Sequence, residues 1–134
     1  KVFMLNFYNY EQMKVAVPVI DEKVAEYYEC HSIQIYEVKE GQYKLVEVYN
    51  NKNKNSINTT IIQGRGLKNI WFLIKKGVNV LIVSEIGPLG FILTQEHGVK
   101  VYLARDLDVK TALERFIRGE LEEIKEPTRI YRIP

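Results

Sequence analysis

The sequence predicts an α/β domain in which helices cover both sides of a mixed β-sheet, and three observations favour this fold. Residues 80–83 (Val-Leu-Ile-Val) and residues 13–19 (Met-Lys-Val-Ala-Val-Pro-Val) are apolar on both faces, as central strands buried between helices are. The pattern Gly-Val-x-Val occurs at residues 77–80 and again at residues 98–101, each time after an expected helix. Two successive strand and helix units therefore share one geometry, and right-handed crossovers make their strands parallel neighbours.

Composition narrows the class of protein. The chain of 134 residues has the size of one domain, with 27 % charged residues, 46 % hydrophobic residues and a formal net charge of +2. A charge so close to neutral demands neither a nucleic acid nor an anionic membrane as partner. The single cysteine, Cys30, cannot form an internal disulfide, and no apolar run approaches the roughly 20 residues that cross a bilayer. We expect a cytoplasmic protein with no membrane partner.

The first half of the chain predicts three strands. Residues 1–12 are rich in aromatics and form an extension that could be an edge strand, a docking segment or sequence upstream of the start codon. In the strand at residues 13–19, Pro18 has no N–H for the ladder and should lie where pairing stops. Residues 32–38 and 43–49 flank a short connection that contains glycine, which predicts a β-hairpin toward one side of the sheet.

The second half predicts three helices and two strands. A helix follows Gly66, with Leu67, Ile70, Trp71 and Ile74 as its apolar stripe and Gly77 as its left-handed cap. The next helix begins near Pro88, and the strand after it, residues 99–103, carries Lys100 and is expected at the edge. Asp108 can cap the last helix, and residues 120–134 form a charged tail.

Seven short motifs together resemble the family of dinitrogenase iron-molybdenum cofactor biosynthesis proteins, which includes the nitrogenase accessory factors. The motifs are Met13-Lys14-Val15-Ala16-Val17-Pro18, Ile35-Tyr36-Glu37-Val38, Gly64-Arg65-Gly66, Gly77-Val78-Asn79-Val80-Leu81-Ile82-Val83, Ile86-Gly87-Pro88, Gly98-Val99-Lys100-Val101-Tyr102 and Ala112-Leu113-Glu114-Arg115-Phe116 with Gly119-Glu120-Leu121. The resemblance implies a three-layer α/β/α, ribonuclease-H-like fold. Its five-stranded mixed sheet would have the order 3-2-1-4-5, with strand 2 antiparallel. It divides the chain into an extension (residues 1–12), a nitrogenase accessory factor-like domain (residues 13–124) and a tail (residues 125–134).

The ligand motif of the family is changed. Members usually carry a His-Phe-Gly-Arg-Ala type motif before the second strand, and the aligned residues are Glu26-Tyr27-Tyr28-Glu29-Cys30. The two carboxylates would repel an anionic iron–sulfur or iron–molybdenum type cluster. Cys30 and His31 are the candidate metal ligands, because thiolate and imidazole both bind iron and zinc, although adjacent residues share one metal only in a loop.

Two glycine-containing turns are candidate ligand sites. Gly64, Arg65 and Gly66 open a helix, where backbone N–H groups and a guanidinium could hold an anion. Ile86, Gly87 and Pro88 follow a central strand at the sheet edge where open α/β sheets bind ligands. Each stretch could equally be a plain turn.

Three functions follow. The first is a non-enzymatic carrier of the cluster, or of another anionic ligand, in a crevice lined by Arg65, Ile86, Gly87 and residues 26–31. The second is a diverged member that has lost the cluster and binds a protein partner in cofactor assembly. The third is a binder of, or enzyme on, a small phosphorylated molecule. Nuclease chemistry is not expected, because the central strands carry no carboxylate and only Asp21 and Glu85 stand at their ends.

Overall fold

The computed structural model describes residues 12–51 and 65–129. The elements are β1 (Met13–Ile20), β2 (Lys23–Val24), β3 (Ser32–Lys39), β4 (Gln42–Asn50), α1 (Arg65–Lys75), β5 (Val80–Val83), α2 (Pro88–Glu96), β6 (Lys100–Leu103), α3 (Val109–Ile117) and β7 (Glu122–Glu123). The predicted extension lies outside the described residues apart from Gln12. None of the described helices is long and apolar enough to cross a membrane.

The sheet is mixed, and its two central strands are the two that the sequence predicted. Its order is β4-β3-β1-β5-β6-β7, with β2 paired to β1. β1 lies parallel to β5, with Val15 opposite Val80, and antiparallel to β3. The five predicted strands correspond to β4, β3, β1, β5 and β6. The prediction of five strands is incomplete, because β2 and β7 extend the described sheet to seven.

Two predictions about the strands are wrong, one on which strand lies at the sheet edge and one on where β1 ends. The strand containing Lys100 is not at the edge, because β7 pairs antiparallel to β6, with Tyr102 opposite Glu123. β1 does not stop at Pro18 but continues to Ile20, and its last two residues pair with β2. Pro18 is tolerated because it lies beyond the residues that pair with β5, and its carbonyl still accepts a hydrogen bond from the Ala25 N–H at 2.9 Å.

Alternation along the central strands builds a core on each face of the sheet. Ala16 and Leu81 belong to one buried cluster, which includes Ile70 of α1 and Phe91 of α2. Val15, Val17, Val80 and Ile82 belong to the other, which includes Val109, Ala112 and Leu113 of α3. The described elements therefore form three layers, with α1 and α2 on one side and α3 on the other.

The repeated Gly-Val-x-Val pattern marks two equivalent helix ends. Gly77 and Gly98 have φ of 75° and 72°, in the left-handed region that glycine adopts readily. The amide of the following valine bonds back into the helix in both cases, from Val78 to Leu73 O at 3.2 Å and from Val99 to Thr94 O at 2.9 Å. This confirms the shared geometry.

The stripe predicted for α1 is only partly right. Ile70 is buried, but Trp71 is 46 % exposed, and Asn69 and Leu73 complete the buried face instead.

Candidate functional site

In the described part of the chain, Tyr27 and residues 125–129 occupy space beside the outgoing ends of β1 and β5, where the crevice was predicted. Tyr27, from the segment between β2 and β3, is 5 % exposed and packs against α2. A Cβ at Gly90 of α2 would overlap the Tyr27 hydroxyl and lie 2.7 Å from Cζ of the same ring. The glycine therefore allows the ring to press against the helix backbone. A backbone hydrogen bond of 3.2 Å from the Ser84 N–H to the Ala25 carbonyl joins the two sides of the crevice.

Residues 125–129, which we call the strap, bind the turn after β5. The Ile86 N–H donates to Thr128 Oγ1 at 2.8 Å, and the Ile86 carbonyl accepts from the N–H groups of Thr128 at 3.0 Å and Arg129 at 3.2 Å. The Thr128 hydroxyl lies 2.9 Å from Glu85 Oε1, to which it can donate. Both polar groups of the Ile86 backbone are thus satisfied by the strap.

The strap also supplies a cation to the segment where the family ligand motif was expected. The guanidinium of Arg129 forms an ion pair with Glu26, and these side chains are 37 % and 18 % exposed. Its Cζ lies 4.9 Å from the centroid of the Tyr28 ring, within the range of a cation–π contact. The carboxylate predicted to repel an anionic ligand is therefore paired with a positive charge from the same chain.

Two buried asparagines donate hydrogen bonds to the backbone of residues 27–30. Asn51 Nδ2 donates to the carbonyls of Cys30 at 2.8 Å and Tyr28 at 3.1 Å. Asn69 Nδ2 donates to the carbonyl of Tyr27 at 2.8 Å and lies 3.2 Å from Asn51 Oδ1. Asn51 and Asn69 are 3 % and 0 % exposed, so these bonds satisfy backbone groups that water does not reach.

The two candidate metal ligands lie in different surroundings. Cys30 is fully buried in the core, and its thiol is 3.3 Å from the Tyr27 carbonyl. His31 is exposed. Among the described residues, no group of three or more His, Cys, Asp or Glu side chains is arranged to hold a metal ion. A metal at Cys30 and His31 stays a prediction.

The predicted ligand turns are placed as follows. Gly64 lies outside the described residues, and Arg65 and Gly66 open α1. Ile86 is fully buried, Gly87 is the N-cap of α2 with extended backbone, and Pro88 is the first residue of that helix. The turn interpretation holds for these three residues, and a ligand role stays a prediction.

The carboxylate at the end of β5 is already engaged. Glu85 Oε2 lies 2.9 Å from both Nε and Nη2 of Arg105, which follows β6. Together with the Thr128 contact, this gives Glu85 partners on both oxygens.

The sequence profile described as dinitrogenase iron-molybdenum cofactor matches residues 11–119. The chain belongs to this family. The matched region includes the segment between β2 and β3 and the turn after β5, but it ends before the strap.

Individual proteins are similar to this chain in sequence or in fold. The uncharacterized protein MJ0580 of Methanocaldococcus jannaschii is 26 % identical over 114 residues, which cover 84 % of this chain and 92 % of that protein. The apo form of the orange protein from Desulfovibrio gigas has a TM-score of 0.71 at 21 % identity, covering 90 % of this chain and 99 % of that one. A putative NifB protein from Thermotoga has a TM-score of 0.65 at 29 % identity, covering 87 % and 97 %.

The family name raises the question of whether these residues fit an iron–molybdenum cluster. Iron–sulfur clusters are usually held by several cysteine thiolates, with histidine as an occasional substitute. The whole chain contains one cysteine and two histidines. The cysteine is buried, and the crevice presents Glu26, paired with Arg129, and the exposed Glu29. The side chains around the described crevice do not fit an anionic cluster.

The sequence interpretation missed Asn51, Asn69, Thr128 and Arg129. Asn69 stands between the apolar residues of a helix, and a polar residue next to a buried stripe is a signal that could have identified it. Thr128 and Arg129 lie in a charged tail with no periodicity, so no local pattern marks their contacts with Ile86 and Glu26.

Proposed function

We propose that this chain is a non-enzymatic binding protein of iron–molybdenum cofactor biosynthesis that contacts a protein partner and does not hold a metal cluster in its crevice. One observation carries the proposal: Tyr27 and the strap fill the place beside β1 and β5 where the ligand was expected. Family membership supports the link to cofactor assembly. The proposal takes residues 13–124 as the ribonuclease-H-like domain of a cytoplasmic protein, with residues 1–12 and 125–134 as additions.

The state of the carboxylates supports a non-enzymatic role. Two-metal hydrolysis needs carboxylates that converge on a pair of ions. Asp21 is exposed at the end of β1, whereas Glu85 is paired with Arg105 and the strap. This arrangement favours a structural use of Glu85.

Exposed apolar side chains on the two-helix layer support a protein partner. Trp71 of α1 is 46 % exposed, and Leu89 and Ile92 of α2 are 37 % and 52 % exposed. Tryptophan is enriched among the residues that dominate binding energy at protein interfaces. Trp71 lies edge-on to His97, with ring centroids 5.1 Å apart.

The alternative is a cluster carrier, which family membership favours. In that function Cys30 and His31 would supply ligands, and the Gly64-Arg65-Gly66 turn would bind the anionic charge. Carrying a cluster would require the Cys30 thiol to leave the core, and the hydrogen bonds of the Cys30 and Tyr28 carbonyls to Asn51 oppose this movement.

Anaerobic reconstitution separates the two functions. Wild-type protein is incubated with iron and sulfide, desalted and examined by visible absorption, beside the variant Cys30→Ala with His31→Ala. We expect wild type and variant to be equally colourless. Visible absorption in wild type that disappears in the variant would overturn the proposal and establish the carrier.

A phosphate titration separates the small-anion function. We expect inorganic phosphate to leave the melting temperature of wild type and of Arg65→Ala equally unchanged. Stabilisation of wild type alone would instead place an anion site at the start of α1.

A further inference from the structure

The strap contacts the crevice as a peptide ligand contacts a receptor, and it bends at Thr128, so that two successive N–H groups meet one carbonyl. Its backbone and one hydroxyl contact the Ile86 backbone through three hydrogen bonds of 2.8 to 3.2 Å. Its next side chain, Arg129, reaches Glu26 and the Tyr28 ring on a different segment of the chain. Main-chain bonds of this kind supply affinity in peptide recognition, and a side-chain pocket supplies specificity.

The side-chain pocket is built for a guanidinium. A carboxylate and an aromatic face meet the same cation, and arginine combines planar hydrogen bonding with stacking in a way that lysine does not. The Asn51 and Asn69 bonds fix the backbone of Tyr27, Tyr28 and Cys30, so this part of the pocket is held in place from the core. Glu85 accepts a hydrogen bond from the hydroxyl of Thr128, the residue before the arginine.

We propose that Glu26, Tyr28, Glu85 and the Ile86 backbone form a binding site for a bent Thr-Arg peptide segment, and that Thr128 and Arg129 of the same chain are its resident occupant. The inference deepens the proposed function, because it names the chemistry of a protein partner that this crevice accepts. The site selects a cationic peptide, because Glu26 faces the guanidinium, whereas the charge of Glu85 is already paired with Arg105.

Tethering gives the resident segment an advantage over an external peptide. A segment joined by a short linker has an effective concentration in the millimolar range, so a free peptide with the same contacts competes poorly. A free peptide that makes only these contacts therefore binds measurably only when the strap is weakened.

A labelled peptide tests the site. The probe is a fluorescein-labelled peptide with the sequence of residues 125–134, and the measurement is fluorescence anisotropy with full-length protein. We expect the variant Thr128→Pro with Arg129→Pro, which removes both resident side chains and both N–H donors to the Ile86 carbonyl, to bind the probe about tenfold or more tightly than wild type. Adding Glu26→Gln should weaken that binding about tenfold or more, because it removes the charge that faces the guanidinium.

The matched control is a second peptide in which lysine replaces the residue equivalent to Arg129, leaving the net charge unchanged. The proposal is overturned if the arginine peptide does not bind the double variant, if both peptides bind equally, or if Glu26→Gln has no effect. These outcomes are independent of cluster absorption, so failure here is distinct from failure of the proposed function.

A charge exchange covers the case in which the double variant does not fold. Glu26→Arg and Arg129→Glu should each lower the melting temperature of the full chain, and the two together should restore part of the loss. Additive losses would show that the two side chains do not recognise each other and would overturn the site.

Discussion

Asn69 is an amide buried completely in a helix that otherwise presents apolar side chains to the core. Its Nδ2 group donates to the buried Tyr27 carbonyl at 2.8 Å and lies 3.2 Å from Asn51 Oδ1, while the Cys30 thiol, a weaker donor, is 3.3 Å from the same carbonyl. Taking an amide donor away from a buried acceptor costs more than the net value of an average hydrogen bond. The position of Tyr27, and hence of the closed crevice, depends on this residue.

We predict that Asn69→Ala lowers the free energy of unfolding by about 1–3 kcal/mol, because the Tyr27 carbonyl loses its amide donor and Asn51 Oδ1 loses a hydrogen bond. Urea denaturation followed by circular dichroism measures the change. Lys68→Ala, on the exposed side of the same helix, is the control and should change stability by less than about 0.5 kcal/mol. Equal effects of the two substitutions would contradict the assigned role.

For single residues, the sequence predicts which side chains are buried better than it predicts which side chains contact each other. The apolar residues of β1 and β5 are buried as their pattern indicates. The buried face of α1 is formed by Asn69, Ile70 and Leu73, which leaves Trp71 exposed. The prediction for Trp71 was wrong because periodicity gives the spacing of a helical stripe more firmly than its centre. The pair of Glu26 and Arg129 joins residues too far apart in the chain for any local pattern to mark.

Helix α3 is an element whose start the sequence predicts correctly. Asp108 is its N-cap, and the carboxylate accepts a hydrogen bond from the Thr111 N–H at 3.4 Å. A hydrogen bond with the Thr111 side chain is the main reason why the pKa of Asp108 lies below its usual value of 3.8, and the backbone hydrogen bond from the Thr111 N–H lowers it further. The same end of the helix is joined to the turn before β2 by a backbone hydrogen bond from the Val109 N–H to the Glu22 carbonyl at 2.9 Å.

We predict that Asp108→Ala lowers the melting temperature at pH 7 and that the difference from wild type narrows in acid. The folded-state pKa is depressed, so the stabilisation is present above the unfolded value near 3.8 and is lost as the pH falls through the folded-state pKa. Thermal unfolding between pH 7 and pH 2.5 measures it. Glu96→Ala, an exposed carboxylate at the end of α2, should show no comparable loss at pH 7. A pH-independent difference for Asp108→Ala would contradict the capping role.

The length of a strand decides whether its sequence pattern can predict it. β1, β3, β4 and β5 have four to nine residues and carry a recognisable pattern of side chains. β2 and β7 have two residues each, too few for any periodicity. Missing β7 made β6 look like an edge strand.

In the whole molecule, β1 and β5 form the centre around which both cores are built. The residues of β5 are all buried, and Val15, Ala16 and Val17 of β1 have no exposed surface. β4 lies at one end of the described sheet and carries exposed Leu45, Val46 and Val48. Stability should therefore decrease from the centre of the sheet toward β4.

We predict that native-state hydrogen exchange is slowest at the amides of β1 and β5, because they open only with global unfolding. The amides of β4 that do not pair with β3 should exchange much faster. Exchange monitored by two-dimensional NMR in deuterated buffer distinguishes the two groups. Protection along both edges of β4 equal to that of β5 would show that the centre of stability has been misplaced.

At the largest scale the sequence predicts the layers and the neighbours of the central strands, because continuous apolar runs and repeated helix ends indicate them. It also predicts a crevice at the outgoing ends of β1 and β5, and that stays a prediction. The contacts of Tyr27 and of the strap in this region join distant segments, and they became visible only in three dimensions.

The burial of Cys30 allows local opening of the protein to be measured by thiol labelling. Because this is the only thiol in the chain and it has no exposed surface, a thiol-specific dye added to native protein labels it only when residues 27–30 open. The labelling rate thus measures how often residues 27–30 open, and no cysteine has to be introduced for the measurement.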